Sequence, residues 1–211
     1  MRSKVNYFIR KPLQIFIVLL IQIPYFHFIR KRKGYNTIVI FEFWFKQKIL
    51  NIGGNKKAYW PVHSSSTIHD VDKIKLGVDS APGIMGGAYI TGTGGLDIGS
   101  YCFFAKNITI VTANHDLYDN RKRNLKPVKI GDYCWVAAGV HIMPGVTLGD
   151  FVVIGAGAVV TKSFNEGYCV IGGNPAIILK KIDPTKCIKY KHAVEYIGYK
   201  KVKQNGFNNN S

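Results

Sequence analysis

The sequence predicts an all-β core, a solenoid of short stacked strands, with an apolar helical extension before it. An aliphatic residue recurs at every sixth position over much of the chain. Neither the helical period of 3.6 nor the strand period of two produces that spacing. A second register lies two positions earlier, so each six-residue unit offers two inward side chains, as a short strand does. The registers are Ile130, Val136, Ile142, Leu148, Ile154 and Val160, and Val128, Cys134, Val140, Val146, Val152 and Ala158.

A larger repeat predicts the length of each coil. An apolar-x-apolar-Gly signature occurs at residues 74–77, 96–99, 128–131 and 146–149, with starts 22, 32 and 18 residues apart. Eighteen residues are three hexads, one on each face of a triangular coil, and the longer spacings then contain insertions of 4 and 14 residues. One unit cannot bury its apolar edge alone, so successive coils are expected to stack about 4.8 Å apart.

The 14-residue insertion must leave the coil, and it falls at residues 114–127. His115 stands at its root. Irregular excursions from a regular scaffold are where function tends to concentrate. We therefore expect this loop to carry chemistry.

The N-terminal region explains much of the net charge of +17. No acidic residue precedes Glu42, and basic clusters bracket an apolar stretch at residues 12–29 that barely reaches the length needed to span a bilayer. No small-residue cleavage site follows it, which argues against a signal peptide. Two interpretations remain: an interfacial anchor on the anionic inner face of the plasma membrane, or a helix packed on the solenoid or a neighbouring subunit. Nucleic acid is a weaker explanation because no base-reading motif accompanies the charge.

The four cysteines form no CxxC pair and no zinc-finger spacing. The repeat makes Cys102 and Cys134 equivalent positions of adjacent coils. We expect them to stack as an apolar pair in a reducing cytosol.

Two segments carry a resemblance to a known family. The string IGDYCWVAAGVHIMPGVTLGDFVVIGAGAVVTKSF at residues 130–164 and VIGGNPAIILKKI at 170–182 resemble the hexapeptide-repeat acyltransferases, in the branch of galactoside, maltose and nodulation-factor O-acetyltransferases. The similarity covers about residues 59–182. It implies a left-handed parallel β-helix and a homotrimer with active sites between subunits. Residues 1–58 are then a basic, apolar extension, and 183–211 a basic and polar tail. The polar end of that tail, residues 205–211, is expected to be frayed.

The resemblance also assigns a site. His115, in the string ANHDLYD, matches the catalytic base, and Asn114 and Asp116 are its candidate neighbours for binding the substrate or orienting the imidazole. Acetyl-CoA is the implied co-substrate, a sugar or glycan the acceptor, and no metal is expected. Because Ala138 has no hydroxyl, an oxyanion donor there must be a backbone N–H. The implied coenzyme-binding residues are Trp135, Ala138, Gly139, Ala156, Thr161, Lys162, Pro175 and Lys180.

The sequence departs from the family pattern at one position, and the basic residues of the loop have two interpretations. Ile177 stands where relatives often have a basic residue after the NPA motif. The loop cations could reach coenzyme phosphates or an anionic sugar, or could simply be solvated. They are Arg121, Lys122, Arg123 and Lys126.

The expected function is acetyl-CoA-dependent O-acylation of a sugar hydroxyl in surface polysaccharide or glycan biosynthesis, in the cytoplasm or peripherally on the inner membrane face. A chloramphenicol-type xenobiotic acetyltransferase and a catalytically silent membrane-associated scaffold are the alternatives. A γ-type carbonic anhydrase needs three zinc-binding histidines. Asn120 occupies the position five after His115, and the loop has no second histidine. The sequence therefore argues against a γ-type carbonic anhydrase.

Overall fold

The computed structural model describes residues 37–202, together with Ile15 and Leu19. Within that part of the chain, no helix is both long and apolar enough to cross a bilayer. The apolar segment 12–29, apart from those two residues, lies outside the described part, so its placement stays a prediction.

Short strands dominate the described chain. One helix, α1 (Thr37–Trp44), continues as a π-helix (Phe45–Ile49), and 3-10 turns cover Ile52–Gly54, Val71–Lys73 and Pro184–Lys186. The strands are β1 (Thr67–His69), β2 (Ile74–Leu76), β3 (Tyr89–Thr91), β4 (Leu96–Ile98), β5 (Phe103–Phe104), β6 (Thr109–Ile110), β7 (Ala113–His115), β8 (Arg123–Leu125), β9 (Val128–Ile130), β10 (Trp135–Val136), β11 (His141–Ile142), β12 (Thr147–Leu148), β13 (Val152–Ile154), β14 (Val159–Val160), β15 (Cys169–Gly172), β16 (Ile177–Lys181), β17 (Tyr196–Ile197) and β18 (Lys200–Lys201).

Three sheets form the faces of a prism. Face 1 contains β1, β3, β6, β11 and β14; face 2 contains β2, β4, β9 and β12; face 3 contains β5, β10, β13, β15 and β16. All pairs within the faces are parallel except β15 with β16. The chain visits the faces in the order 3, 1, 2 on each turn, so the molecule is a parallel β-helix.

The register confirms the predicted coil lengths. On face 2, Ile74 pairs with Leu96 and Leu96 pairs with Val128, while Ile130 pairs with Leu148. The spacings of 22, 32 and 18 residues are therefore single turns of the helix, with and without insertions. The two hexad registers fill the interior, because every one of their twelve side chains is at most 3% exposed.

The glycine that ends each signature is required by space. A Cβ added to Gly131 would lie 2.6 Å from the carbonyl carbon of Gly149 in the next coil and 2.7 Å from the nitrogen of Asp150. Real side chains do not approach backbone so closely, so the corner between faces 2 and 3 stacks only with glycine at this position. Asp150 also accepts a hydrogen bond from the Asp132 N–H at 2.8 Å, which ties the two coils together.

A column of aromatic rings follows the same corner. Tyr101, Tyr133, Phe151 and Tyr168 stack ring on ring, with centroids 5.0, 4.8 and 5.3 Å apart. Each has a positive φ, between 45° and 58°. Bulky residues rarely adopt that conformation, which costs about 1–2 kcal/mol. Stacking on both neighbours offsets that cost, since each aromatic pair contributes about 0.5–1.5 kcal/mol.

The C-terminal segment packs along this column. The Tyr133 hydroxyl donates to the carbonyl of Tyr190 at 2.8 Å, and the Tyr101 hydroxyl donates to Glu195. Burial and this bond to Glu195 raise the pKa of Tyr101. Tyr196 is 1% exposed, and it begins β17, which pairs with β18 in a hairpin.

The structure describes the basic tail from residue 183 as far as Val202, and ring contacts of Tyr190 with Tyr101 and Tyr133 hold it to the corner. The polar end expected to be frayed, residues 205–211, lies outside the described part, so that expectation stays a prediction.

The start of the described chain joins the base of the helix. Gln47 is buried, and its Nε2 donates to the carbonyls of Asn55, Ala58 and Trp60. Its Oε1 accepts the Tyr199 hydroxyl at 2.6 Å. Both ends of the described chain thus meet at one polar side chain.

Cys102 and Cys134 are buried and unbridged, and they occupy adjacent coils next to the paired residues Phe103 and Trp135. The predicted apolar stack of these two residues is confirmed.

Candidate functional site

The 14-residue excursion is a β-hairpin made of β7 and β8. Its base is closed by the Lys126 N–H, which donates to the Thr112 carbonyl at 2.9 Å, and its far end by the Asp116 N–H, which donates to the Lys122 carbonyl at 3.0 Å. Opposed residues in an antiparallel pair alternate between hydrogen-bonded and non-hydrogen-bonded sites. His115, opposite Arg123, therefore occupies a non-hydrogen-bonded site, where the Cα atoms are about 4.5 Å apart and the side chains lie close on one face.

The His115 ring is held by the backbone. Its Nδ1 lies 2.5 Å from the carbonyl oxygen of Asn120. A carbonyl oxygen can only accept, so Nδ1 carries the hydrogen and Nε2 presents a free lone pair. The side chain is exposed, and its Nε2 is a base directed away from the hairpin's own hydrogen bonds.

Asn114 and Asp116 lie on the opposite face of the hairpin from His115, because successive side chains of a strand alternate. The Asp116 carboxylate accepts hydrogen bonds from the Tyr118 N–H at 2.9 Å and the Asp119 N–H at 3.1 Å. The first of these is the main reason why the pKa of Asp116 is lowered, with an added bond from Asn124. Asp116 shapes the turn, and the structure does not bring it or Asn114 together with the imidazole.

Trp135 lies on the outer surface of face 3, where it is 54% exposed. Phe103 and Val153 flank it on the neighbouring strands. Phe103 is 62% exposed. These side chains form an outward apolar row on which a flexible chain could lie. No motif of the sequence marks Phe103 as part of this row.

Ala138 and Gly139 form the corner between faces 3 and 1. The Gly139 N–H donates to the carbonyl of Lys106 at 3.1 Å, and the Ala138 carbonyl accepts from Gly157 at 2.9 Å. Within residues 37–202, no acceptor lies in hydrogen-bonding position to the Ala138 N–H. Ala156 is exposed at the same corner, one coil further on.

The remaining predicted residues are also exposed. Thr161 and Lys162 follow β14 and lie at the corner between faces 1 and 2, with Lys162 Nζ 5.8 Å from the Phe164 ring centroid. Pro175 precedes Ala176, whose N–H donates to Val159 at 2.9 Å and so continues face 1. Lys180 is on β16, opposite Val170.

One chain does not bring all these residues together. The hairpin with His115 leaves the helix between β6 on face 1 and β9 on face 2. In a triangular prism that edge lies opposite face 3, which carries Trp135. In one chain, His115 and the exposed Trp135 therefore lie on opposite sides of the prism.

No three His, Cys, Asp or Glu side chains of the described residues cluster closely enough to hold a metal ion.

Known proteins share the repeat and the fold of this chain. Residues 127–162 match the family model of the bacterial transferase hexapeptide, six repeats. A maltose O-acetyltransferase from Clostridium difficile 630 is 34% identical over 55% of this chain and 66% of its own, with a TM-score of 0.45. Galactoside acetyltransferase in complex with coenzyme A is 21% identical, covering 79% of this chain and 82% of that one, with a TM-score of 0.51.

AntD, an N-acyltransferase from Bacillus cereus in complex with dTDP and 3-hydroxybutyryl-CoA, is 14% identical over 59% of this chain and 80% of its own, with a TM-score of 0.50. Comparison with curated proteins gives no significant match.

The fold and the repeat define the class: this is a hexapeptide-repeat β-helix protein, with the fold of galactoside acetyltransferase. The resemblance to the hexapeptide-repeat acyltransferases predicted from the sequence is confirmed. The similar proteins include a maltose O-acetyltransferase and galactoside acetyltransferase.

Proposed function

We propose that the protein is an acetyl-CoA-dependent O-acyltransferase, with His115 as general base, that acts on a sugar hydroxyl in surface polysaccharide or glycan biosynthesis. One observation carries the proposal. An exposed imidazole, fixed through Nδ1 by the Asn120 carbonyl, projects from a hexapeptide β-helix with its Nε2 free to accept a proton.

The reaction needs no covalent enzyme intermediate. His115 Nε2 takes the proton of the acceptor hydroxyl as that oxygen attacks the thioester carbonyl carbon. The C–S bond then breaks, and the imidazolium returns the proton to the departing thiolate. Imidazole suits both steps because its ordinary pKa lies near neutrality. The Asn120 carbonyl keeps Nδ1 protonated throughout, so Nε2 is the atom that takes the proton and later returns it.

The developing oxyanion needs a donor that is not already engaged. Gly139 donates its N–H to Lys106, whereas the Ala138 N–H has no acceptor among residues 37–202. We assign the oxyanion contact to Ala138. This agrees with the expectation that a backbone group must serve where the side chain has no hydroxyl.

In this proposal the coenzyme lies along the corner formed by Ala138 and Gly139 and along the apolar row of face 3. Galactoside acetyltransferase, which shares the fold, is complexed with coenzyme A. Trp135 offers a flat exposed ring for the pantetheine arm. Small residues permit close approach of that arm, and the two lysines are counter-ions for phosphate. The full set is Trp135, Ala138, Gly139, Ala156, Thr161, Lys162, Pro175 and Lys180.

A homotrimer of left-handed β-helices completes this site. His115 and Trp135 lie on opposite sides of one prism, so a neighbouring chain must supply one of them if both contact the same acetyl-CoA. A groove between parallel prisms places the hairpin of one chain against face 3 or its corner in the next.

The basic N-terminal extension adds peripheral association with an anionic membrane surface. Support comes from the sequence alone, where an apolar stretch lies between basic clusters. Removal of residues 1–33 should release the protein from membrane fractions while the β-helix stays folded by circular dichroism. Retention of the truncated protein in the membrane would contradict the association.

Release of free thiol from acetyl-CoA by the purified protein tests the function. The panel contains sugars, amino sugars and chloramphenicol. Sugar-stimulated release is the expected result, whereas acetylation of chloramphenicol alone would support the xenobiotic alternative. No release and no coenzyme binding by calorimetry would support the silent scaffold.

A further inference from the structure

The loop carries four basic side chains, and they differ in their contacts. Arg121 forms a two-point contact with Asp119, its Nε and Nη2 lying 2.8 and 3.1 Å from the two carboxylate oxygens. Lys122 lies 3.6 Å from the same carboxylate. The stem of Lys126 packs over the corner of the next coil, where its Cδ is 3.3 Å from the position of a Cβ on Gly145. Arg121 and Lys122 thus pair with Asp119 in the turn, whereas Lys126 lies at the base of the hairpin with its stem against the β-helix.

Arg123 is different. It is directly opposite His115, at a site where the two side chains share one face of the hairpin. The guanidinium is exposed, and no carboxylate of residues 37–202 lies within ion-pair distance of it. A permanent positive charge thus stands, without an anionic partner in this part of the chain, beside the base.

We propose that Arg123 determines acceptor specificity by binding a carboxylate on the sugar, so that the preferred acceptor is an acidic glycan unit. This rests on the proposed function. The hydroxyl that gives its proton to His115 Nε2 must lie against that ring, which places the rest of the sugar within reach of the guanidinium. Arginine binds a carboxylate through two parallel hydrogen bonds, which also orients the ring.

The coenzyme phosphates do not fit this position. In acetyl-CoA the pantetheine arm separates the thioester from the pyrophosphate, and the thioester is the part that must meet the acceptor at His115. An anion bound at Arg123 therefore belongs to the acceptor. Lys162 and Lys180, on other parts of the helix, remain the candidate phosphate contacts.

The experiment compares matched acceptors and matched variants of the full chain. Galacturonate is compared with galactose, and glucuronate with glucose, each as the methyl glycoside and as an oligosaccharide. Thiol release gives kcat and KM for the wild type and for Arg123→Gln. The control is Lys122→Gln, which removes the same charge one residue away on the opposite face of the hairpin.

We expect the uronates to have the higher kcat/KM. Arg123→Gln should raise KM for the uronates by about 10- to 100-fold, the size of one hydrogen-bonded charge contact. The neutral sugars should change by less than about twofold, and Lys122→Gln should change neither class. Equal use of uronates and neutral sugars by the wild type would overturn the proposal. So would an equal loss on both classes in Arg123→Gln, which would indicate a structural or transition-state role.

The two proposals fail differently. Absence of coenzyme binding contradicts the enzyme itself, whatever the acceptor. If the coenzyme binds but no acceptor is acetylated, calorimetry with the oligouronates decides: weaker binding to Arg123→Gln than to wild type supports the acidic acceptor, and equal or absent binding overturns it.

Discussion

At the residue scale, the sequence predicts His115 as the base but does not indicate the group that orients it. The 14-residue insertion in a regular repeat marks His115, which stands at its root, and the resemblance to the acyltransferases implies its role. Asn120 orients it through a backbone carbonyl, a group that every residue possesses and no sequence pattern marks. Strand alternation, visible only once the hairpin register is known, places Asn114 and Asp116 on the other face.

A single glycine tests the stacking of the coils. Gly131→Ala would put a Cβ 2.6 Å from backbone atoms of the next coil. We expect it to lower the free energy of unfolding by about 1–3 kcal/mol, the usual cost of overpacking, as measured by urea denaturation. Gly155→Ala is the control, because its Cβ would meet nothing closer than 3.4 Å. Equal stability of the two variants would contradict the role given to the signature glycine.

At the element scale, the hexad strands could be predicted because burial repeats every six residues. The hairpin was predicted only as an excursion, since its pairing depends on local turns around Asp116 and Asp119. The C-terminal segment was missed. Its contacts join Tyr190 to Tyr133 and Glu195 to Tyr101, residues 57 and 94 positions apart, and no local pattern reports such pairing.

The aromatic column offers a second test. Tyr133 contacts the rings of Tyr101, Phe151 and Tyr190. Tyr133→Ala should lower the free energy of unfolding by about 1.5–4.5 kcal/mol, from three pairs of about 0.5–1.5 kcal/mol each. Tyr133→Phe keeps the rings and should lose about 1 kcal/mol, for the hydrogen bond to Tyr190. If thermal or urea denaturation shows similar losses for both variants, ring stacking does not stabilise the corner.

At the scale of the whole molecule, the central feature is that the proposed site residues His115 and Trp135 lie on opposite sides of the prism. The repeat arithmetic predicts the β-helix, and the family resemblance leads us to expect a trimer. Only the order of the faces shows that the edge bearing His115 lies opposite the face bearing Trp135. The mechanism we propose therefore requires assembly, because one chain alone cannot present both residues to one acetyl-CoA.

Mixing of inactive subunits tests this division. His115→Ala and Trp135→Ala are refolded together in equal amounts. If one site uses His115 from one chain and Trp135 from its neighbour, about one quarter of the interfaces in randomly mixed trimers carry both native residues. Thiol release should recover to that fraction of the wild-type rate. If mixing does not raise thiol release above the rate of the separate variants, the divided site is wrong. Either both residues then belong to the site of one chain, or one of them takes no part in catalysis.

The most direct measurement is the turnover of His115→Ala with acetyl-CoA and the best acceptor. We predict that His115→Ala lowers kcat by about 10²- to 10⁴-fold, the usual contribution of a general base. Coenzyme affinity by calorimetry and oligomer size by sedimentation should remain those of the wild type, because His115 is an exposed side chain outside the core. A variant that folds, binds the coenzyme and turns over at the wild-type rate would contradict the assignment of His115 as the base.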